Sequence, residues 1–593
     1  MGLQAKSNEM WPMCSTKWRL QGTKLERLWS ILKLTMLADA QTNSQPCVTL
    51  RHLVADVFNK CVEPKEIDIK QGRIVAMRPA NGEVDEGILI PGLIDAHVHI
   101  ESSMLPPSEF ARVAVRHGTV GTVSDPHEIA NVLGVAGIDF MLRDARRRTF
   151  QFCFGCPSCV PATAFESSGA TIDSLQVADI LKRPDIHYLS EMMNWPGVLH
   201  GDPEVFAKIA SAKALGKPVD GHAPQLMGTD AAKYFSAGIS TDHECVTLEE
   251  ARGKARLGMK ILIREGSAAR NFEALWPIVL EYPDLCMFCT DDAHPDMLLK
   301  GHINVLVARA VKCGINVFDA LRCATVNPIQ HYKIGSGLLR VGDRADMVLV
   351  TDLQEFRAIK TWIAGELVAS HGQAKFARLP VETPNRFRQA TFTANDFCVT
   401  TQATGQAQAR VIVPHDGELV TSEAIESLTA RKGVIELDPS DVRDIAFLAV
   451  INRYTDAPPA MAFIRGLGLG GKAIAASVAH DSHNVVVAGG TREALAKAAN
   501  AVFQARGGLV LIDGDRKHVL PLPIAGLMSD QPAEEVGLSY ETMTREVGAT
   551  FKAPFMTLSF LALLPIPALK LSDLGLFDAR EFRFTSLQLD ATK

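Results

Sequence analysis

The sequence predicts an α/β protein: a (β/α)8 TIM-like barrel inserted in a small β-sandwich domain, followed by a C-terminal α/β domain. Three observations predict it. Between residues 91 and 337, eight short apolar runs alternate with helix-patterned stretches, the arithmetic of a parallel eight-stranded barrel. The stretches flanking that region are strand-and-turn patterned. Beyond a break near ARLPVETPNRFRQATFTANDF, enough chain remains for a further domain. The expected division is an N-terminal extension over 1–34, the small domain over 35–90 and 338–390, the barrel over 91–337, and the last domain over 391–593.

Residues 1–34 carry scattered charges and no apolar core followed by a small-residue cleavage site. They read as an extension or a capping helix, not a signal peptide. Next, EIDIKQGRIVAMRP alternates with period two around Gln71-Gly72, a hairpin signal. The barrel strands are GLIDAHVHI, GTVGTVSDP, TFQFCFGCPS, HYLSEMMN, PVDGHA, ISTDHECV, MKILIRE and LCMFCTDD. Helical stretches such as SEFARVAVRHG, DPEVFAKIASAKALGK and TLEEARGKARLG open on Ser, Asp or Thr and end near Gly, the expected cap chemistry. After Gly337, strand patterning resumes, and this segment should pair with 48–90 in one sheet. In the last domain the glycine run from Gly466 to Gly471 reads as a turn, since no Lys-Ser/Thr completes a phosphate loop.

The chain has 593 residues, is 47% hydrophobic and 22% charged, and carries a formal charge of −6. That balance gives no bias toward polyanions, and no apolar run reaches the ~20 residues a membrane span needs. The twelve cysteines read as thiols of an intracellular protein. Cys153, Cys156 and Cys159 have the spacing of an iron–sulfur set, but no fourth cysteine stands nearby, and residues three apart on a strand face opposite ways.

In a parallel barrel the active site lies at the C-terminal ends of the strands. His97 and His99, two apart on the first strand, project from one side. The second strand runs into Asp125, His127 and Glu128. The fourth carries Glu191, the fifth His222, the sixth His243, and the eighth Asp291 and Asp292. Imidazoles and carboxylates converging on one mouth suit a divalent metal, with zinc, manganese and iron all compatible. Asp291, closing the last strand, is the candidate proton carrier. His480, Asp481 and His483 form a polar cluster in the last domain. The residues alone leave open whether they line the site, hold a metal or only support the fold.

Through PGLIDAHVHIESSM, SDPHEIANVLG, SEMMNWPGV, GHAPQLMG, STDHECVT, REGSAARNF, TDDAHPDMLLKGHIN and LPLPIAGLMSD, the chain resembles the amidohydrolase superfamily and, within it, the adenine deaminase family, over roughly residues 35–593. The resemblance implies hydrolysis of adenine to hypoxanthine and ammonia in purine salvage. It implies a cytoplasmic homo-oligomer, a dimer, with adenine as its partner and neither nucleic acid nor membrane. It implies two divalent metal ions, manganese, iron or zinc. His97, His99 and Asp291 match the positions for one metal, His222 and His243 those for the second, and Glu191 a bridging carboxylate where many relatives carry a carbamylated lysine. Asp291 and Glu191 are then the catalytic residues, and Asp125, His127, Glu128, Ser267, Asp292, His480 and His483 the residues expected around the substrate. Two rival readings are a cyclic-amide hydrolase of the same superfamily and a non-catalytic scaffold that kept the barrel.

Overall fold

The computed structural model describes residues 47–267, 269–548 and 551–589, and the extension expected over 1–34 lies outside them. The described chain opens with β1 (Val48–Asp56), β2 (Cys61–Lys70), β3 (Arg73–Pro79) and β4 (Asp85–Pro91). The β2–β3 hairpin turns on Gln71-Gly72 as expected. Both residues have left-handed φ, 50° and 73°, which matches the right-handed twist of the strands. A Cβ on Gly72 would lie 2.8 Å from the Ala364 carbonyl oxygen, so glycine is required there by packing as well as by φ.

All eight expected barrel strands form: β5 (Leu93–Val98), β6 (Thr119–Ser124), β7 (Gln151–Cys156), β8 (Ile186–Met192), β9 (Val219–Gly221), β10 (Thr241–Asp242), β11 (Lys260–Arg264) and β12 (Cys286–Cys289). Neighbours pair in parallel from β5 to β9 and from β10 to β12. Two seams close the ring. The Ser240 amide donates to the Val219 carbonyl at 2.9 Å, and the Asp291 amide donates to the His97 carbonyl at 2.8 Å. β5 and β6 are buried along their whole length, because helices cover the outside and side chains fill the inside. Two of the caps read from sequence are present, with Asp202 accepting from the Glu204 and Val205 amides and Thr247 from the Glu250 amide, whereas the SEFARVAVRHG helix starts at Pro107 with Ser108 inside it and no side-chain cap.

After the barrel, β13 (Met347–Val350), β14 (Ala358–Ile363), β15 (Glu366–Ser370) and β16 (Gln373–Ala374) rejoin the opening strands. β13 runs antiparallel to β4, with Val348 opposite Ile90 and Leu349 opposite Leu89. The segments flanking the barrel therefore share one sheet, and the small sandwich domain is built from a single continuous eight-stranded sheet. The last part of the chain forms a nine-stranded sheet between Gly405 and Pro521, the helices Arg492–Ala505, Ala533–Val547 and Pro554–Phe560, and a final three-stranded sheet. The glycine run lies in the loop between the strands Ala460–Arg465 and Ala473–Ala476.

One apolar core continues from barrel residues such as Ile94, Val123 and Leu189 into Leu448, Val486 and Leu558 of the last region. Polar ties reinforce that junction. The Ala533 amide donates to Glu109 at 3.0 Å, Arg112 and Arg116 both grip Glu534, and Tyr540 Oη lies 2.8 Å from His294 Nδ1. Cys153, Cys156 and Cys159 are buried free thiols, and burial pushes the first two well above the usual thiol range, as hydrophobic packing predicts. Among the described residues no helix is long and apolar enough to cross a membrane.

Candidate active site

The strand ends deliver the expected side chains to one buried point. Glu191, at the end of β8, is its centre. Its Oε1 lies 3.3 Å from His99 Nε2, and its Oε2 lies 2.7 Å from His222 Nδ1 and 3.2 Å from His243 Nε2. Asp291, just past β12, turns Oδ1 to His99 Nε2 at 3.1 Å and His97 Nε2 at 3.5 Å. The rings of His97 and His243 stack with centroids 4.2 Å apart. Asp291 has φ 57°, a left-handed conformation unusual for a non-glycine residue, held by its amide bond to His97 and the bond from the His99 amide to its carbonyl.

Two observations make this a metal site. Four imidazoles and two carboxylates are packed together at no more than 8% exposure each, and among the described residues His97 leaves both ring nitrogens without a hydrogen-bond partner. Orphaned buried nitrogens are costly, and a divalent cation satisfies them. Groups that fit one cation are His97, His99 and Asp291 on one side, and His222, His243 and Glu244 on the other. Burial alone drives both carboxylates upward, yet Arg264 and the histidines hold Asp291 well below the usual range, and the histidines do the same for Glu191.

The expected residues around the substrate divide into those on the pocket wall and those behind it. His127, Glu128, Asp292 and His480 line the pocket. Ser102 Oγ donates to Asp292 Oδ1 at 2.6 Å and fixes it. Asp125 is bonded to His127 Nδ1 at 3.0 Å, to the His127 amide at 3.1 Å and to the Ser190 hydroxyl at 2.7 Å, so it orients the His127 ring. Ser267 Oγ accepts from the His294 amide at 2.8 Å and its amide donates to the Asp292 carbonyl at 2.7 Å, so it braces the loop after β12 that carries Asp292. His483 also lies off the wall, with its Nε2 in contact with Glu128 Oε2.

Sequence reasoning missed Glu244, Arg264 and the apolar cover. Arg264 closes β11, the seventh barrel strand. It donates to both oxygens of Glu244 and, at 2.6 Å, to Asp291 Oδ2. Glu244 directly follows His243, and its Oε1 stands 3.5 Å from His222 Nδ1. Met193, Leu419, Phe560 and Leu563 complete the lining, the last three from the C-terminal region, and as plain apolar residues they carried no sequence signal.

A parallel barrel with this histidine and carboxylate cluster at its mouth defines a metal-binding hydrolase of the amidohydrolase type, and the amidohydrolase family profile matches residues 88–368. The profile described as the adenine deaminase C-terminal domain matches residues 418–583. Among curated relatives, the adenine deaminase of Salinibacter ruber is 51% identical over 542 residues, covering 91% of this chain and 98% of its own. That of Sulfurovum sp. is 49% identical, covering 89% and 97%, and that of Methanosarcina barkeri is 47% identical, covering 91% and 99%. The chain belongs to the adenine deaminase family.

Proposed function

We propose that this protein hydrolyses adenine to hypoxanthine and ammonia, and that it does so with two divalent ions of manganese, iron or zinc. The supporting observation is Glu191, whose two oxygens face two different imidazole sets, as a bridging ligand would. His97, His99 and Asp291 would hold one ion and His222 and His243 the other, with Glu191 between them. When bound, such ions supply Lewis acidity and make water nucleophilic at neutral pH.

The chain's own residues do the rest. Arg264 holds Asp291 Oδ2, and Oδ1, which would also face the ion beside His97 and His99, is the oxygen that takes a proton from water and passes it to the departing nitrogen. Ammonia departs only once that nitrogen is protonated. His127, Glu128 and Asp292 line the same pocket and are the groups we assign to the purine ring, a nitrogen of which must gain a proton as C6 is attacked. Leu419, Phe560 and Leu563 exclude bulk water from the closed site, which strengthens every polar interaction within it. Use in purine salvage, a cytoplasmic location and a dimeric assembly belong to the same reading, and light scattering tests the last.

The test is ammonia release across a panel of purines and cyclic amides, before chelation, after it and after metal is restored. We expect adenine to be preferred, activity to vanish on chelation, and two metal equivalents to restore it. Preference for a dihydropyrimidine or hydantoin would move the protein to the rival hydrolase, and absence of any metal-dependent turnover would leave only the scaffold.

A further inference from the structure

The cluster His480-Asp-Ser-His483 lies on a loop of the C-terminal region, and that loop is bolted to the barrel. Ser482 Oγ donates to Glu166 at 2.6 Å and Asn484 Nδ2 donates to the Ser167 carbonyl at 2.8 Å, while Tyr454 Oη, from the C-terminal region itself, braces the loop by donating to the Ser482 carbonyl at 2.6 Å. The loop brings two imidazoles to one barrel carboxylate. Glu128 Oε1 lies 2.9 Å from His480 Nε2, and Glu128 Oε2 touches His483 Nε2. The barrel's own His127 stands off from Glu128 at 3.6 Å. Glu128 and His483 are essentially without solvent exposure.

The tautomer of His483 follows from its other nitrogen. The Ala479 amide donates to His483 Nδ1 at 3.2 Å, so Nδ1 carries no proton. A neutral ring must then carry its proton on Nε2, against Glu128 Oε2. That argues against His483 as a metal ligand through Nε2, because the ring would have to become an imidazolate. Burial favours the neutral ring. His480 differs: its Nδ1 is 2.6 Å from Ser559 Oγ, and its Nε2 faces Glu128 and, at 3.7 Å, Asp292. Its Nδ1 is thus hydrogen-bonded, while its Nε2 sits close to two carboxylates without forming a well-aligned hydrogen bond to either.

We propose that His483, with His480 beside it, is a positioning residue that clamps Glu128 across the domain junction, fixing the carboxylate that the barrel presents to the substrate ring. The barrel supplies the carboxylate and the C-terminal region sets its orientation. The inference rests on the reading that Glu128 meets the substrate, and it adds the residue through which the second region acts. A misplacement of about 1 Å in a group that orients substrate costs on the order of 10²-fold in rate.

The test is a double-mutant cycle on kcat/KM for adenine, with metal content and thermal midpoint measured on every sample. His483→Ala and Glu128→Ala should each lower kcat/KM by about 10²-fold with metal retained, and the double variant should be no worse than either. His483→Gln keeps a donor near the Nε2 position and should regain most of the loss, whereas His483→Asn should not. Glu128→Gln, of unchanged size, replaces Glu128→Ala if alanine weakens the junction. Losses that multiply would show that His483 acts elsewhere and overturn the clamp. Adenine turnover by the wild-type enzyme tests the functional reading separately. The 15N shifts of His483 test the clamp whatever the substrate: a proton on Nε2 supports it, and a proton on Nδ1 sinks it.

Discussion

Asp291 is tied to Arg264 through one oxygen and turns the other to His97 and His99. The tie is Arg264, a buried guanidinium bound to both Glu244 and Asp291, so neighbouring strand ends are cross-linked by one cation. If Asp291 carries the proton as proposed, Asp291→Asn should keep an oxygen toward the histidines but lower kcat by at least ~10²-fold in fully metal-loaded protein. Asp292→Asn, whose partner is the Ser102 hydroxyl, should raise KM more than it lowers kcat. Near-normal kcat in the metal-replete Asp291 variant would show the roles to be reversed. Glu191→Gln should lose at least one metal equivalent, and metal analysis checks it directly. At this scale the sequence was legible where spacing encodes geometry: His97 and His99 share a face because a strand alternates. Arg264 was not legible, because an arginine at a strand end ordinarily reads as surface, and its burial depends on two carboxylates from other strands.

The elements carrying these residues were legible for a related reason. Parallel strands buried on both faces leave short apolar runs, and helices between them announce their starts with Asp and Thr caps. What periodicity does not encode is which loop touches which. The loop after β7 packs under the His480–His483 loop through Glu166, a half-buried carboxyl bonded to Ser482 and Thr163. Burial, with Asp481 adding to it, pushes Glu166 up to about 8. The folded state therefore prefers the protonated form relative to an unfolded value of ~4.3. Its contribution is complete below that unfolded value and is lost as pH rises through about 8. Between about pH 6 and about pH 9 the thermal midpoint of the wild type should fall relative to that of Glu166→Gln, which stays uncharged throughout. Parallel curves for the two proteins would mean that the Glu166 carboxyl is already ionised in the folded state at neutral pH.

At the scale of the molecule, the C-terminal region and the barrel share one apolar core and one active-site wall, a union that strand and helix patterns could only hint at. The His480–His483 cluster was the hint, since a polar turn after an apolar strand is a poor choice for a simple surface. Its target, Glu128, lies more than three hundred residues away in sequence, and no local pattern specifies that pairing. The union makes a firm prediction about truncation. Phe560 and Leu563 are buried at the mouth, and burying a large apolar side chain contributes roughly 1.5–3 kcal/mol. Removing residues 391–593 would expose the barrel face beneath them, leave Glu109 without the Ala533 amide and strand Glu128 without its imidazoles. The shortened chain should therefore be poorly soluble, and any soluble fraction should deaminate adenine at least ~10²-fold more slowly even when reloaded with metal. Metal content of that fraction separates the two contributions, because the proposed ligands His97, His99, Glu191, His222, His243 and Asp291 all lie in the retained part. A soluble, metal-loaded barrel with full adenine turnover would show that the second region only covers a site that works without it.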